Sequence, residues 1–239
     1  MRMFRRWRFI MELANKKSNQ VLKSLLEGNN RFLSGLKNIE TIATPEKLKQ
    51  LATNGQRPSC IILACSDSRV PAELIFDQGL GDLFVLRVAG NVVAPSLIAS
   101  MEFAVLNFES PLILVMGHTK CGAINAACSH FVNPQKELSK NLEDLIRRIS
   151  PAVRGSYLEG QNEQQFIDKT ISANVRESIS EIFAHSSIIS KKVQDNELAV
   201  VGAVFELESG RVVVDQAFDY NYSANKQTNY SEPPQTVKA

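Results

Sequence analysis

The 239-residue chain is short of the features that mark several large protein classes. No apolar run approaches the roughly 20 residues that a membrane helix needs. Neither sign of charge dominates: 27 Lys and Arg stand against 25 Asp and Glu, a net charge of +2. Beyond the first few residues the two signs are interspersed, which argues against a nucleic-acid surface. Cysteine is scarce, at Cys60, Cys65, Cys121 and Cys128, and no second C-x-x-C pair accompanies His118-Thr119-Lys120-Cys121, so a zinc finger is a poor reading. Gly117 and Gly122 have P-loop spacing, but Ala123-Ile124 stands where Lys and Ser or Thr belong, and Gly79-Leu80-Gly81 lacks the third glycine of a dinucleotide fingerprint. There is no internal repeat.

What is present suits a globular enzyme. Hydrophobic residues make up 44% and charged residues 22%, enough for one α/β domain or two small ones. Met1 to Ile10 carries Arg2, Arg5, Arg6 and Arg8 beside aromatic residues. Arg5-Arg6 hints at a twin-arginine signal, yet the polar stretch Met11–Lys17 stands where an apolar segment belongs. Residues 1–14 therefore read as a basic extension, or as residues upstream of a start at Met11. With no secretory signal read, a reducing, cytoplasmic location is the expectation.

Apolar residues at helical spacing predict an amphipathic helix over 15–34, whose apolar face needs a partner, and Thr44-Pro45-Glu46 starts another through about Thr53. Short continuous apolar runs at 60–64, 83–88 and 112–116 have the pattern of strands covered on both faces. Helices are expected at 96–107, 122–129, 141–149 and, as one long element, 164–193. Glu208-Ser209-Gly210 separates runs at 198–207 and 211–218 and predicts a hairpin, its last strand antiparallel at an edge. The alternation implies a mostly parallel sheet of four strands with an antiparallel edge strand and helices on both faces. Residues 15–220 form one domain in this reading, and 221–239, polar with Pro233-Pro234, a disordered tail.

Cys65 ends the first apolar run and His118 follows the third, so both fall at carboxyl ends of strands, where open α/β sheets build their sites. With Cys121 they offer two thiolates and one imidazole, one ligand short of a closed zinc shell. Such a shell leaves room for water, which zinc makes nucleophilic at neutral pH. Cys60 and Cys128 read as buried fillers, and His130 and His185 as surface or packing histidines. Asp67 and Arg69, two and four residues past a candidate ligand, raise the constellation above a chance grouping.

Cys65-Ser66-Asp67-Ser68-Arg69-Val70 and Gly117-His118-Thr119-Lys120-Cys121-Gly122 resemble the paired signatures of the β-class carbonic anhydrases. The resemblance continues through Ala72–Gly79, Arg87-Val88-Ala89-Gly90-Asn91 and Glu102–Val105, covering roughly Asn15 to Asp219. It implies Zn2+ held by Cys65, His118 and Cys121 and a catalytic dyad of Asp67 and Arg69. It also implies reversible hydration of carbon dioxide to bicarbonate and a proton by a zinc-bound hydroxide. Asp67 would orient that hydroxide, and Arg69 would hold Asp67 off the metal. By motif position Gln56, Phe84, Ala89, Phe103 and Gly122 match the substrate pocket. The family's unit, a homodimer often paired into a tetramer, would cover the apolar face of residues 15–34 with the neighbouring subunit. Some bacterial members carry an inhibitory bicarbonate site of tryptophan, arginine and tyrosine. The matching positions are Ile62, Arg87 and Phe205, so no such site is expected. The alternatives are a carbonyl sulfide or carbon disulfide hydrolase on the same fold, and a non-catalytic zinc or bicarbonate sensor.

Overall fold

The computed structural model describes residues 16–36, 44–134 and 137–215. The basic extension and the polar tail expected from the sequence lie outside the described residues. Among the described residues thirteen elements follow in order: α1 (Lys16–Ser34), α2 (Pro45–Asn54), β1 (Cys60–Ala64), α3 (Ala72–Ile75), β2 (Leu83–Arg87), α4 (Pro95–Phe108), β3 (Leu112–His118), α5 (Gly122–Val132), α6 (Lys140–Ser156), α7 (Glu163–His185), α8 (Ser187–Gln194), β4 (Ala199–Glu206) and β5 (Arg211–Val214). A single 3-10 turn, Ala89–Asn91, lies between β2 and α4.

The strands form one five-stranded sheet ordered β2-β1-β3-β4-β5. The first four are parallel and β5 pairs antiparallel with β4, as the sequence pattern predicts. Side chains alternate across a strand, so β1 and β3, buried along their whole length, feed two cores. Cys60, Ile62, Leu112, Leu114, Met116, Val201 and Phe205 pack under α1 and α3. Ile61, Leu63, Ile113, Val115 and Val200 pack under α4, α7 and α8. A third cluster joins Cys65 and Cys121 to apolar residues of α5, α6 and α7, including Ile124, Ile149, Val153 and Ile171.

Local chemistry sets the helix ends. Thr44 caps α2 by accepting from Lys47 N at 3.1 Å, with Pro45 in the first turn, and Asn162 caps α7 through Gln164 N and Gln165 N. The helix expected over 164–193 is instead two. Ser186 is extended, its hydroxyl caps α8 at Ile189 N and donates to Glu102 Oε1 at 2.6 Å, and the chain turns there. The helix expected to stop at Ile149 continues to Ser156 with Pro151 inside it. Proline costs an interior helix about 3 kcal/mol, but Ala152, Val153 and Ser156 are buried beyond it, so packing overrides the local preference.

The N-terminal helix packs on its own sheet. Its apolar face is covered by its own chain: Leu22, Leu25 and Leu26 are buried in the core beneath the sheet. The amide of the buried Asn29 donates to Ile75 O and Gly210 O and accepts from Val212 N, tying α1 to the β4–β5 hairpin.

This packing requires a glycine. A Cβ on Gly28 would fall 1.8 Å from Phe76 O, a backbone atom with no freedom to yield. Alanine gains about 1 kcal/mol of helix propensity, less than the cost of lifting α1 off the chain below. Gly28→Ala is expected to lose about 2 kcal/mol net, read as a lower urea midpoint at unchanged slope.

Candidate metal centre

Neighbouring strands β1 and β3 pair Ala64 with Met116, so Cys65 leaves β1 beside the end of β3, where His118 stands. Cys121 immediately precedes α5. The β1–β2 connection runs to one side of β1, and β3 lies on the other. The site thus occupies the point where the strand order reverses, beyond the carboxyl ends.

Cys65 Sγ, His118 and Cys121 Sγ bring their ligand atoms within 4.8 Å of one another, and all three residues are buried. The sulfurs are 3.9 Å apart. A disulfide needs about 2.05 Å, whereas two thiolates about 2.3 Å from one tetrahedral ion stand about 3.8 Å apart. His118 Nδ1 lies 2.9 Å from Thr119 O, to which it donates when protonated there. That tautomer leaves Nε2 a lone pair, and Nε2 is buried with no hydrogen-bond partner. An unpaired buried acceptor beside two sulfurs fits a thiophilic divalent cation. The two sulfurs are within hydrogen-bond reach of each other. Cys65 is drawn down to about 4, chiefly by the hydrogen bond from Cys121. Cys121 is pushed above the ordinary thiol range by the same bond and by burial.

Asp67 and Arg69 lie on the loop after β1. Arg69 grips the carboxylate at both ends, Nε to Oδ1 at 2.9 Å and Nη2 to Oδ2 at 2.7 Å, and its backbone N–H adds a third bond. These hydrogen bonds hold the Asp67 carboxyl well below the usual carboxylate range. Arg69 Nη2 also reaches Lys120 O at 3.2 Å, bridging the two sequence islands. Asp67 Oδ2 is 3.9 Å from His118 Nε2, beside the ligand cluster and tied to arginine.

The five pocket residues expected from the sequence divide into two groups. Ala89 begins the 3-10 turn whose Gly90 N–H donates to Cys65 Sγ at 3.4 Å, and Gly122 follows Cys121, so both flank the centre. Phe84 pairs with Ile61, four residues before Cys65 and about 13 Å back along the strand. Phe103, 52% exposed, lies 6.5 Å from the Phe84 ring, with Phe108 against both, and Gln56 is exposed in the loop entering β1. Phe84 thus lies towards the end of its strand opposite to Cys65, with Phe103 beside it. Of the residues matched to an inhibitory site, Ile62 and Phe205 are core residues, and Arg87 donates to Cys65 O and Asp67 O. Cys60 and Cys128 are buried, and burial raises both thiols.

Sequence reasoning missed the supports behind this centre. Arg87 fixes the carbonyls on either side of Ser66. Asn174 and Ser178 of α7 donate to Gly90 O and Asn91 O. The available signal was polar residues one turn apart, Thr170, Asn174 and Ser178, on a helix face that also carries Val175 and Ile171.

The carbonic anhydrase family profile matches residues 60–212. Carbonic anhydrase 2 of Mycobacterium tuberculosis strain H37Rv is 38% identical over 192 residues, covering 80% of this chain and 90% of that protein. The carbonic anhydrase of Mycolicibacterium smegmatis is 33% identical over 192 residues, covering 80% and 89%. Among solved structures, the β-carbonic anhydrase CafA of Aspergillus fumigatus superposes with a TM-score of 0.65 at 25% identity, covering 82% of this chain and 91% of that one. A structure from work on two tetrameric β-carbonic anhydrases of Sordaria macrospora gives 0.63 at 25% identity, covering 82% and 96%. No helix among the described residues is long and apolar enough to cross a membrane.

If the three buried ligands form the centre, elemental analysis of the full-length protein should find about one zinc per chain. Cys65→Ser, His118→Ala and Cys121→Ser should each lose most of it, while Cys60→Ser and Cys128→Ser keep it.

Proposed function

The chain belongs to the β-class carbonic anhydrases, and on that premise we propose that it hydrates carbon dioxide reversibly at a zinc ion held by Cys65, His118 and Cys121. Bound there, the ion supplies a Lewis acid that makes water a nucleophile near neutral pH. The observation that carries the reading is the Asp67–Arg69 pair beside the unpartnered His118 Nε2. A purely structural metal needs no such pair.

The chain's own residues do the orienting. Asp67, kept ionised by Arg69, accepts one O–H of the attacking water and leaves a lone pair of that oxygen aimed at carbon. Arg69 is itself anchored on Lys120 O, which restrains the carboxylate from swinging onto the metal. Attack gives bicarbonate and releases one proton to buffer. Ala89 and Gly122 present little bulk beside the centre, which suits a small apolar substrate.

Gln56, Phe84 and Phe103 serve this pocket in a homodimer or a dimer of dimers, where they face the metal centre of a second copy. The place of Phe84 on its strand, about 13 Å from Cys65, and the exposure of Phe103 support that assignment.

Stopped-flow measurement of carbon dioxide hydration tests the proposal. The zinc-loaded protein should be active and a chelator should abolish the activity. Asp67→Asn should lower kcat at least about 100-fold with zinc content unchanged; full activity in that variant would refute the role of the pair. Sulfide release from carbonyl sulfide outpacing hydration would favour the hydrolase reading, and a zinc-loaded but inert protein would favour a sensor. Separately, Phe103→Arg should shift the mass found by light scattering towards the monomer and depress activity with it.

A further inference from the structure

Gly90 and Asn91 follow one another with φ of 67° and 44°. Consecutive left-handed residues, one of them carrying a side chain, persist only where surrounding contacts over-determine them. Here each carbonyl is taken by a side chain of α7. Asn174 Nδ2 donates to Gly90 O at 2.7 Å, and Ser178 Oγ donates to Asn91 O at 3.0 Å. Ser178 Oγ also lies 2.9 Å from Asn174 O, so its one proton is shared between two carbonyls. Both side chains are buried.

The helix comes this close because of a second glycine. A Cβ on Gly117, the residue before His118, would fall 2.8 Å from Val175 Cγ2 and 3.4 Å from Ile171 Cγ2. Polar side chains buried on a helix face cost stability unless they are bonded. Asn174 and Ser178 are bonded to the one turn whose next donor, Gly90 N–H, points at a candidate metal ligand.

We propose that Asn174, assisted by Ser178, is a positioning residue for the metal centre: it fixes the Gly90–Asn91 turn so that Gly90 N–H stays on the Cys65 sulfur. The proposal rests on the reading of Cys65, His118 and Cys121 as metal ligands. The N–H donor draws electron density from the thiolate, so less charge passes from sulfur to the ion. Two thiolate ligands would otherwise blunt the Lewis acidity that the reaction requires.

The full-length protein loaded with Co2+ provides a readout independent of turnover. Its thiolate-to-metal charge-transfer absorption reports the electron density at sulfur. Asn174→Leu keeps the size of the side chain and removes the donor. Its band should move to lower energy as sulfur regains electron density, and its metal affinity, measured against a chromogenic chelator, should fall about 10- to 100-fold because the turn no longer holds the ligand in place, a loss that outweighs the stronger donation. Ser178→Ala should move the band the same way by less, and is the variant read if Asn174→Leu is not recovered folded. Ile179→Ala, in the same helix and fully buried, controls for lost stability: it should lower the unfolding midpoint and leave the band in place. An Asn174→Leu protein with the parent's band and an affinity within about twofold of it overturns the proposal. So does an unmoved band in Ser178→Ala when that is the variant read, or an equal band shift in Ile179→Ala. A parent protein with no charge-transfer band on loading overturns the metal reading itself, which is a separate failure.

Discussion

A buried imidazole nitrogen without a partner is the constraint around which this fold is arranged. His118 Nε2 is sealed from solvent and bonded to nothing in the described residues, and burying such a group unpaired costs about 1–3 kcal/mol. Its neighbours are two buried sulfurs 3.9 Å apart. A cation among them would take all three as ligands, so the donor set suits a metal shell. Thr119 shows how firmly the ring is set. Its carbonyl faces His118 Nδ1, its N–H donates to Phe205 O and its hydroxyl accepts from Leu207 N, so the β4 ladder fixes the imidazole's orientation.

Rigidity at the centre comes from elements far apart in sequence. Arg87, at the end of β2, clamps two carbonyls of the loop that carries Cys65 and Asp67. Arg69 joins that loop to the one that carries Cys121. From beneath, α7 holds the 3-10 turn and packs on Gly117. A metal site tolerates little misplacement of its ligands, and positions fixed from three directions resist the relaxation that would close the shell or let Asp67 drift onto the ion.

The expected pocket residues divide by their place in the fold. Motif position groups Gln56, Phe84 and Phe103 with Ala89 and Gly122, yet Ala89 and Gly122 flank Cys65 and Cys121 while Phe84 stands several residues' rise back along the sheet, with Phe103 beside it. Motif position says which residues a family uses together, whereas one subunit's geometry says only where each of them lies in that subunit. The apolar face of α1 makes the converse point. Its spacing announces a need for burial but not the source of the cover, and the chain supplies that cover itself through the β4–β5 hairpin and the residues after α3.

The sequence by itself determined the parallel sheet, its antiparallel edge, the three candidate ligand residues and the acid–arginine pair. Each is written locally: continuous apolar runs for doubly covered strands, a Glu-Ser-Gly turn for the hairpin, and two short islands for the chemistry. The tertiary structure decided what local rules cannot reach. It broke the expected long helix at Ser186, where a serine side chain can cap a new start, and carried α6 past Pro151 because buried neighbours outweigh one lost backbone bond. It set the strand order that brings Cys65 beside His118, and it chose which buried polar residues of α7 would touch the turn behind the ligand. The physical reason is range. Propensity and periodicity act over a few residues, while Asn174 and Gly90 are 84 apart in sequence and meet only when the sheet has formed between them.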